Sequence, residues 1–384
     1  MKETFSAIGI DETLTASLAR MDITQPTAIQ QQAIPLALAG RDIIGRSATG
    51  TGKTLAYLLP LIAKIDATKR ENQAIILAPT YELVIQIQRQ LELLLAGLPV
   101  IAVPLIGNAN ITRQIDKLKE KPHILVGSAG RVLELIEKRK ITAAAVKTLV
   151  LDEADRLLDD QARDTVKAII KTFRKDRQIM LFSATITAET LDQAREFLRD
   201  PALVAVDGRP EVAGSIKHMY LVCDRRDKIE LLRKLVHSSG LRQGLVFLNN
   251  SEDIATITAK LNYHGLRAVG LHGAFAQGDR KKALDDFRKH KALLLVASDV
   301  ACRGLDIRNV DFVYNLDIPD DPEVYLHRAG RTGRAGDEGF AVSLATPAEL
   351  ALLKKVERAL QIAIAPKYIR EGQVRDAGKS SPRK

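Results

Sequence analysis

The stretch DIIGRSATGTGKT, Asp42 to Thr54, decides how the rest of the chain is read. It begins as a short apolar run, passes through a loop bearing Gly50 and Gly52, and ends in Gly-Lys-Thr ahead of the apolar series LAYLLPLIA. A buried strand, a glycine-bearing loop and a helix beginning near Lys53 make a phosphate-binding loop. The glycines let backbone N–H groups turn inward around an anion. The helix N-terminus adds favourable partial charge. Lys53 then reaches the β- and γ-phosphates, and the Thr54 hydroxyl is a ligand for Mg²⁺. Ser47, Thr49, Gly50, Thr51 and Gly52 form the cradle, with Ser47 standing at the usual first glycine position.

Such a loop needs a second acid for Mg²⁺ and water, and LVLDEADRLLDD supplies it. The apolar strand ends at Leu151, so Asp152 and Glu153 emerge at its carboxyl end, where open α/β sheets bind ligands. Asp152 is expected to hold Mg²⁺ and Glu153 to orient or deprotonate the attacking water. An acidic helix cap is the competing reading of these two residues. The nearby phosphate loop favours the metal-and-water reading.

Outward from this loop, apolar runs rich in Val, Ile and Leu recur at 74–79, 100–107, 123–128, 148–153, 179–185 and 202–207, separated by helical periods. Continuous apolar strands between helices mean a parallel sheet covered on both faces. The pattern pauses at DGRPEVAGS and resumes with runs at 216–224, 244–249, 268–273, 293–298, 312–317 and 340–345. A helix, PAELALLKKVERALQ, closes the second half. Two α/β domains are expected: 1–206, a linker at 207–215, 216–365, and a basic, disordered tail at 366–384.

The 384 residues carry a net charge of +10, which suits a polyanionic partner. Only 4% are aromatic and tryptophan is absent, so backbone contacts should dominate over base stacking. Cys223 and Cys302 stand far apart without metal-ligand spacing, so two reduced thiols are expected. No apolar run is long enough to span a membrane, and the N-terminus lacks the continuous apolar core of a signal peptide. A cytoplasmic protein is expected.

The string Asp152-Glu153-Ala154-Asp155, with this phosphate loop, resembles the DEAD-box RNA helicases. Other segments agree in order and spacing over roughly residues 5–345: PTAIQ (26–30), SAT (183–185), LVFLN (245–249), QGDR (277–280), SDVACRGLD (298–306) and HRAGRTGR (327–334). The resemblance implies two tandem RecA-like domains with the ATP site in the cleft between them. It implies that Gln30 reads adenine with Phe5 packed on it, and that Asp306 contacts the ribose. Arg331 and Arg334 become arginine fingers at the γ-phosphate, supplied from the opposite domain. Asp155, Ser183, Thr185, His327 and Arg328 couple nucleotide to RNA, with His327 and Arg328 organising the domain interface. RNA is implied at Thr80, Gly107, Ser128, Gly130 and Arg131 in the first half. In the second half it is implied at Gln277, Arg280, Ser298, Arg303 and Gly304.

The chain departs from the family mainly on the first RNA face. Pro-Thr-Arg-Glu-Leu-Ala is here Pro79-Thr80-Tyr81-Glu82-Leu83-Val84, Gly-Gly is Gly107-Asn108, and Thr-Pro-Gly-Arg is Ser128-Ala129-Gly130-Arg131. Ser298 replaces a threonine and Ala329 a bulkier aliphatic residue. Tyr81 either stacks on a base or packs as a surface aromatic. The reading is an ATP- and Mg²⁺-dependent RNA helicase with RNA binding retained but reshaped. Backbone contacts give low sequence specificity, so a specific RNA target calls for a protein partner or the tail. An ATP-dependent RNA clamp or chaperone and a DNA-dependent ATPase are the alternatives.

Overall fold

Every apolar run expected in the first half forms a strand: β1 (Ile43–Arg46), β2 (Ala74–Leu77), β3 (Ala102–Leu105), β4 (Ile124–Gly127), β5 (Thr148–Asp152), β6 (Gln178–Ser183) and β7 (Ala202–Ala205). The computed structural model describes residues 4–47, 50–107, 109–160, 162–206, 215–271, 277–302, 305, 307, 310–333, 338–370 and 372–377. The chain divides into two units, Met1–Arg209 and Pro210–Lys384. Residues 207–214 of the expected linker lie outside the described residues.

In the first unit the strands are all parallel, in the order β3-β4-β2-β5-β6-β1-β7. Strand alternation feeds two cores, one on each face. Ile76, Val150, Met180 and Phe182 enter one core, while Ile75, Leu77, Leu149, Leu151 and Leu181 enter the other. That explains why these strands read as unbroken apolar runs rather than alternating ones.

The second unit adds β8 (Ile216–Val222), β9 (Gly244–Leu248), β10 (Ala268–Leu271), β11 (Leu294–Ser298), β12 (Phe312–Asn315), β13 (Gly339–Ala345), β14 (Ala365–Arg370) and β15 (Gln373–Asp376). Their order is β10-β11-β9-β12-β13-β8-β14-β15, parallel throughout except for the last pair. Val246 and Leu248 face one core, Leu245 and Phe247 the other. Cys223 and Cys302 are free thiols. No described helix is long and apolar enough to cross a membrane.

One expectation is overturned here. Residues 366–376 were assigned to a disordered tail, yet β14 and β15 form an antiparallel hairpin at the edge of the second sheet. Arg370 pairs with Gln373 across a two-residue connection, and Gly372 supplies a φ of 72° that other residues seldom adopt. Ile369 anchors the hairpin against the core. Residues 378–384 lie outside the described residues.

Candidate nucleotide and RNA sites

The parallel sheet of the first unit brings the loops after its strands to one edge. Strand order then sorts them. The phosphate loop after β1, Ser183 at the end of β6 and Asp152 at the end of β5 occupy one half of that edge. Thr80 after β2, Ser128 after β4 and Gly107 after β3 occupy the other. Residues interleaved in sequence are thus separated into a nucleotide half and a nucleic-acid half.

In the nucleotide half, the helix Lys53–Ala63 starts where expected, and Gly52 caps it at a φ of 96°. A Cβ on Gly52 would also come within 2.4 Å of Gln30 Nε2 and displace that amide, but it is the positive φ that calls for glycine. Gln30 Nε2 donates to the Gly52 carbonyl at 3.0 Å, and its Oε1 accepts from the Thr27 N–H at 2.9 Å. The Ser47 and Thr51 hydroxyls are 2.7 Å apart across the loop. The Lys53 ammonium donates to the Ser47 carbonyl, bridging the loop's own ends. Burial lowers the Lys53 pKa, and the charges of Asp152, Glu153 and Asp155 oppose that shift. Thr49 lies outside the described residues.

Asp152 is buried, and burial raises its pKa, opposed first by a hydrogen bond from Tyr57 and then by the charge of Lys53. The Tyr57 hydroxyl donates to Asp152 Oδ2 at 2.8 Å, and the Glu153 N–H donates to Oδ1 at 3.0 Å. Tyr57 lies one helical turn beyond Lys53, on the side that meets Asp152. Thr54, next to Lys53 in the first turn of that helix, and Asp152 offer hard oxygen donors beside the loop. A buried carboxylate beside a hydroxyl fits Mg²⁺, whose charge would offset the carboxylate's burial. Glu153 turns the chain at a φ of 51°, in the left-handed region, and so leads β5 into the short helix Ala154–Leu157.

Two contacts join this acid turn to the neighbouring motifs. Thr185 Oγ1 donates to Asp155 Oδ2 at 2.8 Å, and the Ser47 N–H donates to the Ser183 carbonyl at 3.2 Å. The Ser183 hydroxyl is buried and makes no hydrogen bond among the described residues. Phe5, expected against adenine, is packed in the first core and closed to contact from outside. It supports the segment before Gln30 in this state.

In the nucleic-acid half, Thr80 caps the helix Tyr81–Leu94 by accepting from the Leu83 N–H at 3.2 Å. Tyr81, the first residue of that helix, is 43% exposed, a position open to either base stacking or surface packing. A Cβ on Gly107 would sit 3.7 Å from the Ser128 hydroxyl, so these two meet, while Gly130 faces open space. Arg131 is a correction. It is only 8% exposed, donates to the Gly107 and Ala109 carbonyls, and pairs with Glu134 at 3.0 Å. Its guanidinium shapes the Gly107 loop instead of standing free for a phosphate. Asn108 lies outside the described residues.

In the second unit, Arg328 is 1% exposed and ties its own domain together. Nε and Nη2 grip the Asp299 carboxylate, Nη1 reaches Asn315 Oδ1 and the Asp317 carbonyl, and Nη2 also reaches Asn249 Oδ1. Its guanidinium carbon stands 5.2 Å from the centre of the Phe247 ring. The loops after β9, β11 and β12 are therefore fixed to the helix Pro322–Ala329, which also carries His327. Arg331 Nη1 donates to the Leu305 carbonyl at 3.1 Å. Arg280 donates to the Ala301 carbonyl at 2.9 Å, and Ser298 is buried, its hydroxyl accepting from the Ala301 N–H. Gln277 opens the helix Gln277–Arg288. The Gln277 side chain and Arg303, Gly304, Asp306 and Arg334 lie outside the described residues.

This paired arrangement can be set beside known proteins. A DEAD/DEAH box helicase family model matches residues 27–194, and a helicase conserved C-terminal domain model matches residues 227–336. The chain belongs to the DEAD-box family of ATP-dependent RNA helicases. The probable ATP-dependent RNA helicase YfmL of Bacillus subtilis is 44% identical over 91% of this chain and 93% of its own length. The DEAD-box ATP-dependent RNA helicase CshC of Bacillus cereus is 40% identical over 93% and 92%. Among solved structures, S. cerevisiae Dbp5 bound to RNA and ADP BeF3 superposes with a TM-score of 0.82 at 28% identity, covering 94% of this chain and 95% of that one.

The family is one of ATP-hydrolysing enzymes, so ATP use follows from membership. Within this DEAD-box chain, motif reading missed Tyr57, Asn249, Asp299 and Asp317 as working residues. Tyr57 was legible as the residue one turn beyond Lys53. Asn249, Asp299 and Asp317, which accept from Arg328 together with Asn315, were not, because only the sheet order brings them to one guanidinium.

Proposed function

We propose that this chain couples ATP binding and hydrolysis to RNA binding and local duplex unwinding, in the cytoplasm. The observation that carries the reading is the sorted edge of the first sheet, with phosphate loop, acid pair and Ser183-Ala184-Thr185 on one half and Thr80, Gly107, Ser128 and Gly130 on the other. Lys53 leaves the Ser47 carbonyl for the β- and γ-phosphates. Gln30 and Phe5 release their internal contacts to meet adenine. Thr54 and Asp152 would hold Mg²⁺, which would supply neutralisation of phosphate charge when bound. Glu153 orients and deprotonates the attacking water.

The second unit contributes Arg331 and Arg334 to the γ-phosphate and Asp306 to the ribose. Arginine suits this role because its planar fork pairs two oxygens. RNA lies on Thr80, Gly107, Ser128 and Gly130 in one unit and on Gln277, Arg280, Ser298, Arg303 and Gly304 in the other. Its contacts run along the backbone. Asp155, Ser183, Thr185 and His327 transmit the state of one site to the other, and Arg328 keeps the second unit rigid enough to respond. ATP and RNA together favour closure because only the closed form completes both sites.

The test is steady-state ATP hydrolysis with and without single-stranded RNA, with matched DNA as control. RNA-specific stimulation that is abolished by Glu153→Gln, with nucleotide binding kept, is expected. Hydrolysis indifferent to RNA, or stimulated equally by DNA, refutes the reading.

A further inference from the structure

The hairpin overlooked in the sequence carries a surface that no part of the helicase reading uses. Tyr368 lies opposite Arg375, and Arg370 opposite Gln373. Opposed residues share a face, and every second residue returns to it. Tyr368, Arg370, Gln373 and Arg375 therefore stand on one side. The other side holds Ile369 against the core and the Lys367–Asp376 ion pair. Ile369 fixes the register, since a slip of one residue would turn Tyr368 inward. The Tyr368 face is consequently outward: Tyr368 is 37% exposed, and Arg370, Gln373 and Arg375 are exposed.

In a chain with few aromatics, this sets an exposed ring on the same hairpin face as two arginines. Bases of any sequence stack on aromatic faces, and arginine forks pair with phosphates. The sequence that follows, 378–384, adds Lys379, Arg383 and Lys384 and no acid. We infer that this face is a second contact for single-stranded RNA, with a base stacked on Tyr368 and adjacent phosphates met by Arg370 and Arg375. The inference rests on the RNA reading above.

Its position gives it a signature. From β11 to β14 the sheet order runs through β9, β12, β13 and β8. At about 4.8 Å per strand that is roughly 24 Å. RNA at the carboxyl end of β11 would have to continue for about seven nucleotides at ~3.4 Å each to reach the hairpin. Short RNA should not feel it, and long RNA should.

The experiment measures the RNA concentration that half-saturates ATPase stimulation in the full chain, using single strands of ~5 and ~25 nucleotides, the shorter too short to cover that span. Tyr368→Ala should raise the value for the long strand at least ~5-fold, leave the short strand unchanged, and leave kcat at saturation unchanged. Tyr368→Phe should restore binding, because it keeps the ring. Replacing Arg370 and Arg375 together by Gln should flatten the salt dependence of long-strand binding by about 1.4 in log–log slope. If the parent responds to RNA but Tyr368→Ala binds the long strand normally, loses both lengths equally, or is not rescued by Phe, the hairpin site is refuted and the helicase reading stands. A parent indifferent to both strands refutes both.

Discussion

Replacing Arg328 by lysine keeps the charge but removes the planar fork, and its effect separates two roles for this residue. Arg328 makes five hydrogen bonds within the second unit. A lysine ammonium has three donors at one point and can satisfy at most three of those acceptors. Five acceptor atoms against three donors leave at least two without a partner, and Asn315, which is fully buried, cannot turn to water. Each buried group left unmet costs about 1–3 kcal/mol. Retained attraction to Asp299 offsets part of the loss, so Arg328→Lys should destabilise the second unit by about 3 kcal/mol.

At ~2–4 °C per kcal/mol for a unit of this size, its thermal transition should fall by roughly 6–12 °C. Calorimetry without ATP or RNA reads this directly, and is preferred because the chain has no tryptophan to report by fluorescence. Combining Arg328→Lys with Asp299→Asn should cost less than the sum of the two, with a coupling of about 1–3 kcal/mol. A transition that stays in place while RNA-stimulated hydrolysis collapses would refute the clamp. It would return Arg328 to the ligand-dependent interface role that its sequence position suggested.

Other perturbations probe the remaining contacts. Tyr81→Arg restores a cation on the exposed start of its helix, so single-stranded RNA should bind more tightly with a salt slope steeper by about 0.7; an unchanged slope would remove position 81 from the RNA path. Thr185→Val deletes the hydrogen bond to Asp155, so the first unit should lose about 1.5 kcal/mol in urea unfolding, and RNA stimulation should fall while RNA-free hydrolysis persists. Unaltered stimulation would show that this contact does not transmit. Burial pushes His218 from the ordinary 6.5 down to about 4. With the folded pKa below the unfolded one, the unfolded chain takes the proton first as pH falls. This group's effect is absent above about pH 6.5 and destabilises the second unit towards pH 4, by about 3 kcal/mol in all. His218→Gln, which can still bond the Tyr325 hydroxyl 3.0 Å away, should flatten that acid limb in urea titrations at several pH values. An identical limb in parent and variant would contradict the buried neutral imidazole.

The sequence by itself determined the elements and the chemistry they carry. Buried parallel strands announce themselves as apolar runs, and Lys53, Thr54, Asp152 and Glu153 follow local patterns whose physical meaning needs no distant residue. Tertiary structure decided what those patterns could not. Strand pairing is non-local, so only the order β3-β4-β2-β5-β6-β1-β7 shows that nucleotide and nucleic-acid motifs occupy separate halves of one edge. An arginine reads alike in sequence whether it is free or engaged. Its partners come from elsewhere in the fold, and they make Arg131 and Arg328 internal ties. The hairpin is hidden for the same reason: its alternation is weak, and what holds it is Ile369 against a core that the sequence does not display.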